Sequence, residues 1–129
     1  MNTENIAKKI NYLAGGVLLI LGILCFVFVD DFTKMYNIDL LTIQGKTEMR
    51  VISGFSFIVG FLLLYFTYKS KKQKKVLFAT MLITSYFLFA RLIGLVIDGF
   101  SQEITYYELF LELVGFVFMC VIYFKISER

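Results

Sequence analysis

Histidine, tryptophan and proline are all missing from this chain of 129 residues, and cysteine occurs only twice. Without histidine, a haem or zinc centre would lack its commonest nitrogen ligand. Without proline, no helix carries a proline kink. The two cysteines, Cys25 and Cys120, each stand inside an apolar run. On the topology derived below, Cys25 lies about 6 Å and Cys120 about 20 Å from the outer ends of their helices, counted by helical rise. A disulfide needs Cα atoms within roughly 7 Å of each other. Both cysteines therefore read as unpaired thiols that act as small hydrophobes. No nucleotide-binding loop, metal-ligand motif or nucleophile–base pair is present, so no catalytic and no metal-binding residue is assigned.

What the chain has instead is apolar surface. Its residues are 59% hydrophobic and its mean hydropathy is +0.78. A small soluble domain keeps too much of its surface exposed to hide that content; lipid removes the difficulty. Four runs approach the twenty residues needed to cross a bilayer: residues 10–29, 48–68, 76–97 and 107–126. Helices are the economical form for all four, because lipid cannot satisfy a free backbone polar group. The first run follows Lys8 and Lys9 as a signal peptide would. It is too long for that and no small-residue cleavage site follows, so it reads as a retained span. The expected fold is all-α, a single four-helix transmembrane bundle over residues 1–129. A short interfacial helix is expected over residues 32–41.

Orientation follows from the basic residues. Lys8, Lys9, Lys69, Lys71, Lys72, Lys74, Lys75, Lys125 and Arg129 fall on one side, against Lys34, Lys46 and Arg50 on the other. The lysine-rich side is expected to be cytoplasmic, with both termini there, in a multi-pass protein of the cell membrane. The lysine link is thus topogenic rather than a nucleic-acid site. Tyr12, Tyr68 and Tyr123 mark the inner interface, Tyr106 and Tyr107 the outer one. A weak echo between Val29-Asp30-Asp31-Phe32 and Ile97-Asp98-Gly99-Phe100 hints at duplicated hairpins.

The charges within the spans need explaining. Arg91 lies about 9 Å below the outer end of the third span and Glu112 about 7.5 Å below that of the fourth. At such depth an unpaired charge costs up to about 3 kcal/mol, so the two are expected to pair or share a site, the guanidinium fork matching a carboxylate. Glu108 is one turn above Glu112, Asp98 is seven residues beyond Arg91, and Glu48 and Arg50 open the second span at the same level. The cluster reads either as a polar pocket open to the outside or as mortar between helices. Small residues at packing intervals, Ser56 with Gly60, Ala90 with Gly94 and Gly15 with Gly22, suit close helix approach inside the bundle.

Thr47-Glu48-Met49-Arg50-Val51-Ile52-Ser53-Gly54 resembles the Asn-Glu-Leu-Arg-x-x-Gly-Gly pattern of an uncharacterised bacterial family of small four-helix membrane proteins. Arg91 to Asp98-Gly99 resembles that family's second block, and Glu112 its later membrane glutamate. Ser53 departs from the pattern's first glycine. The resemblance singles out Glu48, Arg50, Gly54, Arg91, Asp98, Gly99 and Glu112, with Gly54 and Gly99 joining Gly94 as packing glycines. It also implies a distant likeness to DoxX-like membrane proteins, some of them linked to quinone-coupled redox chemistry.

Three functions compete. The leading one is a non-enzymatic protein of the bacterial inner membrane that binds a small amphiphile, a lipid head group or a quinone, in an outward pocket. The second is a quinone-linked redox subunit or enzyme using Glu108 and Glu112 as acid and base. The third is an accessory or structural subunit with a membrane-protein partner. Alternating-access transport is disfavoured, because the charges lie away from the midplane. No resident cofactor is expected.

Overall fold

The computed structural model describes residues 3–35, 43–97 and 103–126. Five helices account for almost all of them: α1 (Thr3–Val27), α2 (Val29–Met35), α3 (Ile43–Lys69), α4 (Gln73–Ile97) and α5 (Glu103–Lys125). Among the described residues there is no strand. Within α1, α3, α4 and α5, segments of 20 to 25 residues are long and apolar enough to cross a membrane. The chain is an all-helical, multi-pass membrane protein.

The helices run past the apolar segments that announce them. The first begins at Thr3 rather than at residue 10, and the third element at Ile43 rather than at 48. Hydropathy marks only the stretch that lipid must cover, whereas the i to i−4 hydrogen bonds continue into the interface wherever the residues are fair helix formers. At the start of α1, Glu4 also sits favourably against the positive end of the helix dipole. A short helix follows at Val29–Met35, overlapping the expected one at residues 32–35. It is nearly a continuation of α1: the Phe28 N–H donates to the Leu24 carbonyl at 2.8 Å and the Phe32 N–H to that of Phe28 at 2.9 Å. Residues 36–41 of the expected helix lie outside the described residues.

The chain falls into two compact units, residues 1–10 with 70–129, and residues 11–69. In the second, α1 and α3 run antiparallel and meet backbone to backbone. A Cβ added to Gly22 would lie 2.5 Å from the amide nitrogen of Phe57 and 2.9 Å from the Ser53 carbonyl. One added to Gly60 would press into the backbone of Leu19 and stand 2.8 Å from the Gly15 carbonyl. Glycine is required at both positions because backbone, unlike the end of a long side chain, cannot step aside. Ser53, the departure from the family pattern, is buried at this contact, and its hydroxyl donates to its own helix at the Met49 carbonyl, 2.6 Å away. Gly54, expected as a packing glycine, has open space where a side chain would stand. Its neighbours in the helical turn carry the contact instead.

In the first unit, the core is Ala7, Leu77, Met119, Ile122 and Ile126, with Ile6, Ile10, Met81 and Tyr123 against it. These residues gather at the end of the α4–α5 hairpin nearest the lysine link. Lys74 closes that end: its ammonium donates to the Ile126 carbonyl at 3.2 Å and stands 4.9 Å from the centre of the Tyr123 ring. A cation there satisfies a carbonyl that the end of α5 leaves without a helical partner, and it faces the negative end of the dipole. The turn into α4 is fixed by Ser70, whose hydroxyl accepts the Lys72 N–H at 3.1 Å and whose carbonyl accepts from Gln73 Nε2 at 2.7 Å. Buried hydroxyls need no neighbouring helix. Thr67 donates to the Leu63 carbonyl at 2.6 Å, Thr80 to that of Val76 and Thr84 to that of Thr80, both at 3.0 Å.

The glycine contacts have a measurable consequence. Gly60→Ala gains up to about 1 kcal/mol of helix propensity but must displace backbone, which costs about 1–3 kcal/mol as overpacking. Gly60→Ala and Gly22→Ala are expected to lower the thermal midpoint in detergent, while Gly54→Ala holds or raises it. The three midpoints, followed by circular dichroism, decide the point.

Candidate functional site

Arg91 stands six residues before the end of α4, and the antiparallel α5 places two carboxylates opposite it. Arg91 Nε donates to both oxygens of Glu112, at 3.0 and 3.1 Å. Arg91 Nη1 lies 2.6 Å from Oε2 of Glu108. The i, i+4 spacing puts both glutamates on one face of α5, so a single guanidinium spans one full turn of the facing helix. Side-chain exposures are 30% for Arg91, 24% for Glu108 and 23% for Glu112, so the cluster is largely but not fully enclosed.

Two features set its chemistry. The guanidinium stays charged under all ordinary conditions and offers five donors in a rigid fork. Two carboxylates face it, so one guanidinium is shared between two acceptors carried by the facing helix. The core of this unit lies at the other end of the hairpin. From Met81 at its edge to Arg91 is about 15 Å by helical rise.

The other expected site residues are placed as follows. Arg50 is exposed on α3, in the other unit. Asp98 and Gly99 lie outside the described residues, as does the side chain of Glu48. Gly94 is half-buried on α4. The cysteines are free, Cys25 buried and Cys120 partly so. No group of three or more metal-ligating side chains occurs among the described residues.

A second ion pair, which sequence reasoning missed, joins α2 to α3. Lys46 Nζ lies 2.6 Å from Oδ1 of Asp30. The two are sixteen residues apart on different helices, so spacing carried no signal. Proximity to a helix end carried only a faint one. The hydrogen bond from Lys46 holds the Asp30 carboxyl below its ordinary range, aided by the charges of Lys46, Lys34 and Arg50 against some desolvation.

Two outcomes follow. Arg91→Ala leaves two enclosed carboxylates without their cation and is expected to cost about 2–3 kcal/mol, the range for hydrogen bonds to charged groups. Glu108→Gln keeps the Arg91–Glu112 pair and is expected to cost under about 1 kcal/mol; thermal midpoints in one detergent compare the two. Asp30 is ionised more readily folded than unfolded, so its contribution is complete above its ordinary pKa of 3.8 and lost as pH falls through the lower folded value. Asp30→Asn should remove that small acid-limb dependence and leave stability near pH 7 almost unchanged, because both partners are well exposed. Midpoints measured at successive pH values for both proteins would show it.

The sequence matches the family described as a domain of unknown function, DUF4345, over residues 6–123. No curated protein and no solved structure matches the chain.

Proposed function

The chain belongs to the DUF4345 family, a domain of unknown function, and from the geometry of its own residues we propose that it binds a small amphiphile at the Arg91 cluster. In this reading it is a protein of the cell membrane with both termini in the cytoplasm. The cluster then opens toward the outside as the polar end of a site whose walls are apolar. A lipid head group or a quinone is the class of ligand that fits.

The observation that carries the reading is the second carboxylate. A cluster whose only task is to join α4 to α5 needs one acid for its one base, and Glu112 alone supplies it with both oxygens on Arg91 Nε. Glu108 brings a second acceptor to the same guanidinium, its Oε2 2.6 Å from Nη1, and ionisable groups gathered within spanning helices are candidates for function. An ammonium or hydroxyl of a lipid head, or the hydroxyl of a quinol, would donate to these carboxylates. The guanidinium in turn can donate to a carbonyl or phosphate oxygen of the same ligand. Ligand binding of this kind asks for no catalysis and no resident cofactor.

Mass spectrometry of the molecules that co-purify with the protein in nanodiscs tests this. Wild type is expected to retain one enriched lipid or quinone, and Glu108→Gln to retain about a tenth as much, the equivalent of roughly 1.4 kcal/mol, at an unchanged thermal midpoint. Arg91→Ala should lose it altogether. Equal retention by wild type and both variants would reject the site, and no enriched species in any of them would assign the cluster to helix packing.

A further inference from the structure

Beyond the Arg91 cluster, the hairpin of α1 and α3 holds an apolar recess of about 300 Å³, lined by Gly22, Ile23, Phe26 and Val27 of α1 and by Gly54 and Phe57 of α3. Its lining offers no polar surface. Its volume matches the smallest small-molecule sites, enough for a stretch of one hydrocarbon chain.

Gly54 makes the recess. Gly22 and Gly60 lack side chains because the facing backbone leaves no room. Gly54 has no such reason: a Cβ there would meet nothing within 4 Å. Gly16 and Gly115 are equally unencumbered, but they do not line the recess. Glycine within a helix costs up to about 1 kcal/mol against alanine, and at Gly54 no helix contact offsets that cost. The hollow that it opens is what remains.

The charges above the recess say what would lie in it. Lys46, Arg50 and Gly54 stand at successive turns on one face of α3, which puts Arg50 about 6 Å along the axis from Gly54. Arg50 is exposed. Lys46, one turn further, is already held by Asp30. Asp31 and Glu48 belong to the same end of the chain, so an anion there is selected by the placement of Arg50 over the hollow and not by net charge.

We propose that the α1–α3 recess is a binding site for one acyl chain of an anionic bilayer phospholipid, whose phosphate head is held by Arg50. Lipid can cover any unpacked face of a spanning helix, but here an apolar hollow and a fork-shaped phosphate donor are aligned on one stripe. The site is separate from the proposed amphiphile site at Arg91 and stands or falls without it.

The full chain is reconstituted in phosphatidylcholine vesicles containing a trace of phosphatidylglycerol that carries a photoactivatable group in its acyl chain. A parallel sample contains the phosphatidylcholine analogue. Labelled residues are mapped by mass spectrometry. Wild type is expected to be labelled within residues 22–27 and 54–57, about five-fold more by phosphatidylglycerol, the weight of one basic side chain at an anionic head. Gly54→Leu should lose the recess label from both lipids with its helicity and thermal midpoint kept. Arg50→Gln should keep the label and lose the preference, and Arg91→Ala should change neither. Undiminished labelling of a folded Gly54→Leu, or a preference that survives in Arg50→Gln, would overturn the proposal. If Gly54→Leu does not fold, Arg50→Gln decides alone. A recess that takes no lipid label, but cross-links two copies of the chain in a way that Gly54→Leu abolishes, would assign it to self-association instead.

Discussion

Hydrocarbon offers no hydrogen bonds, and the rest of this structure depends on that. Every backbone donor and acceptor in the spans must be satisfied within the segment itself, so the spans are helices. Every side-chain donor must also find a partner nearby. The buried hydroxyls of Ser53, Thr67 and Thr80 find it one turn back in their own helix. Arg91 cannot do this, because its fork reaches outward from the helix. It recruits Glu108 and Glu112 from α5, and the pairing holds those two helices in register.

The two units solve helix association differently. Between lipid-bathed helices the hydrophobic effect provides little drive, so close packing and polar contacts must supply it. The α1–α3 pair relies on packing: Gly22 and Gly60 bring backbone against backbone. The α4–α5 pair relies on a small apolar core at one end, closed by Lys74 on the last carbonyls of α5, and on the charged cluster toward the other. One hairpin is thus tight and apolar, with Gly54 leaving a hollow in it. The other carries enclosed charge, one guanidinium shared between two carboxylates.

The link between α3 and α4 is more than a run of charge. Lys74 is tied to Ile126 and Tyr123, and Lys69 donates to the Tyr65 hydroxyl at 3.1 Å. A cation at the end of a helix meets the negative end of its dipole, and Lys74 uses this at the end of α5.

The number of spans, their rough limits and the pairing of Arg91 with Glu112 could be read from the chain, because hydropathy and helical rise are properties of local sequence. Small residues near Gly15, Gly22 and Gly60 were legible as packing points for the same reason. The extensions to Thr3 and Ile43, the Asp30–Lys46 pair and the opposite fates of Gly22 and Gly54 were not. Each depends on which groups another segment brings close, and neither spacing nor composition carries that. Whether a glycine is a contact or a hollow is decided only by the helix that faces it. Sequence by itself determined that this chain must be helical and membrane-spanning and that Arg91 and Glu112 would meet; tertiary structure alone added Glu108 to the same guanidinium and joined Asp30 to Lys46, because pairing across helices is set by rotation and register rather than by the order of residues.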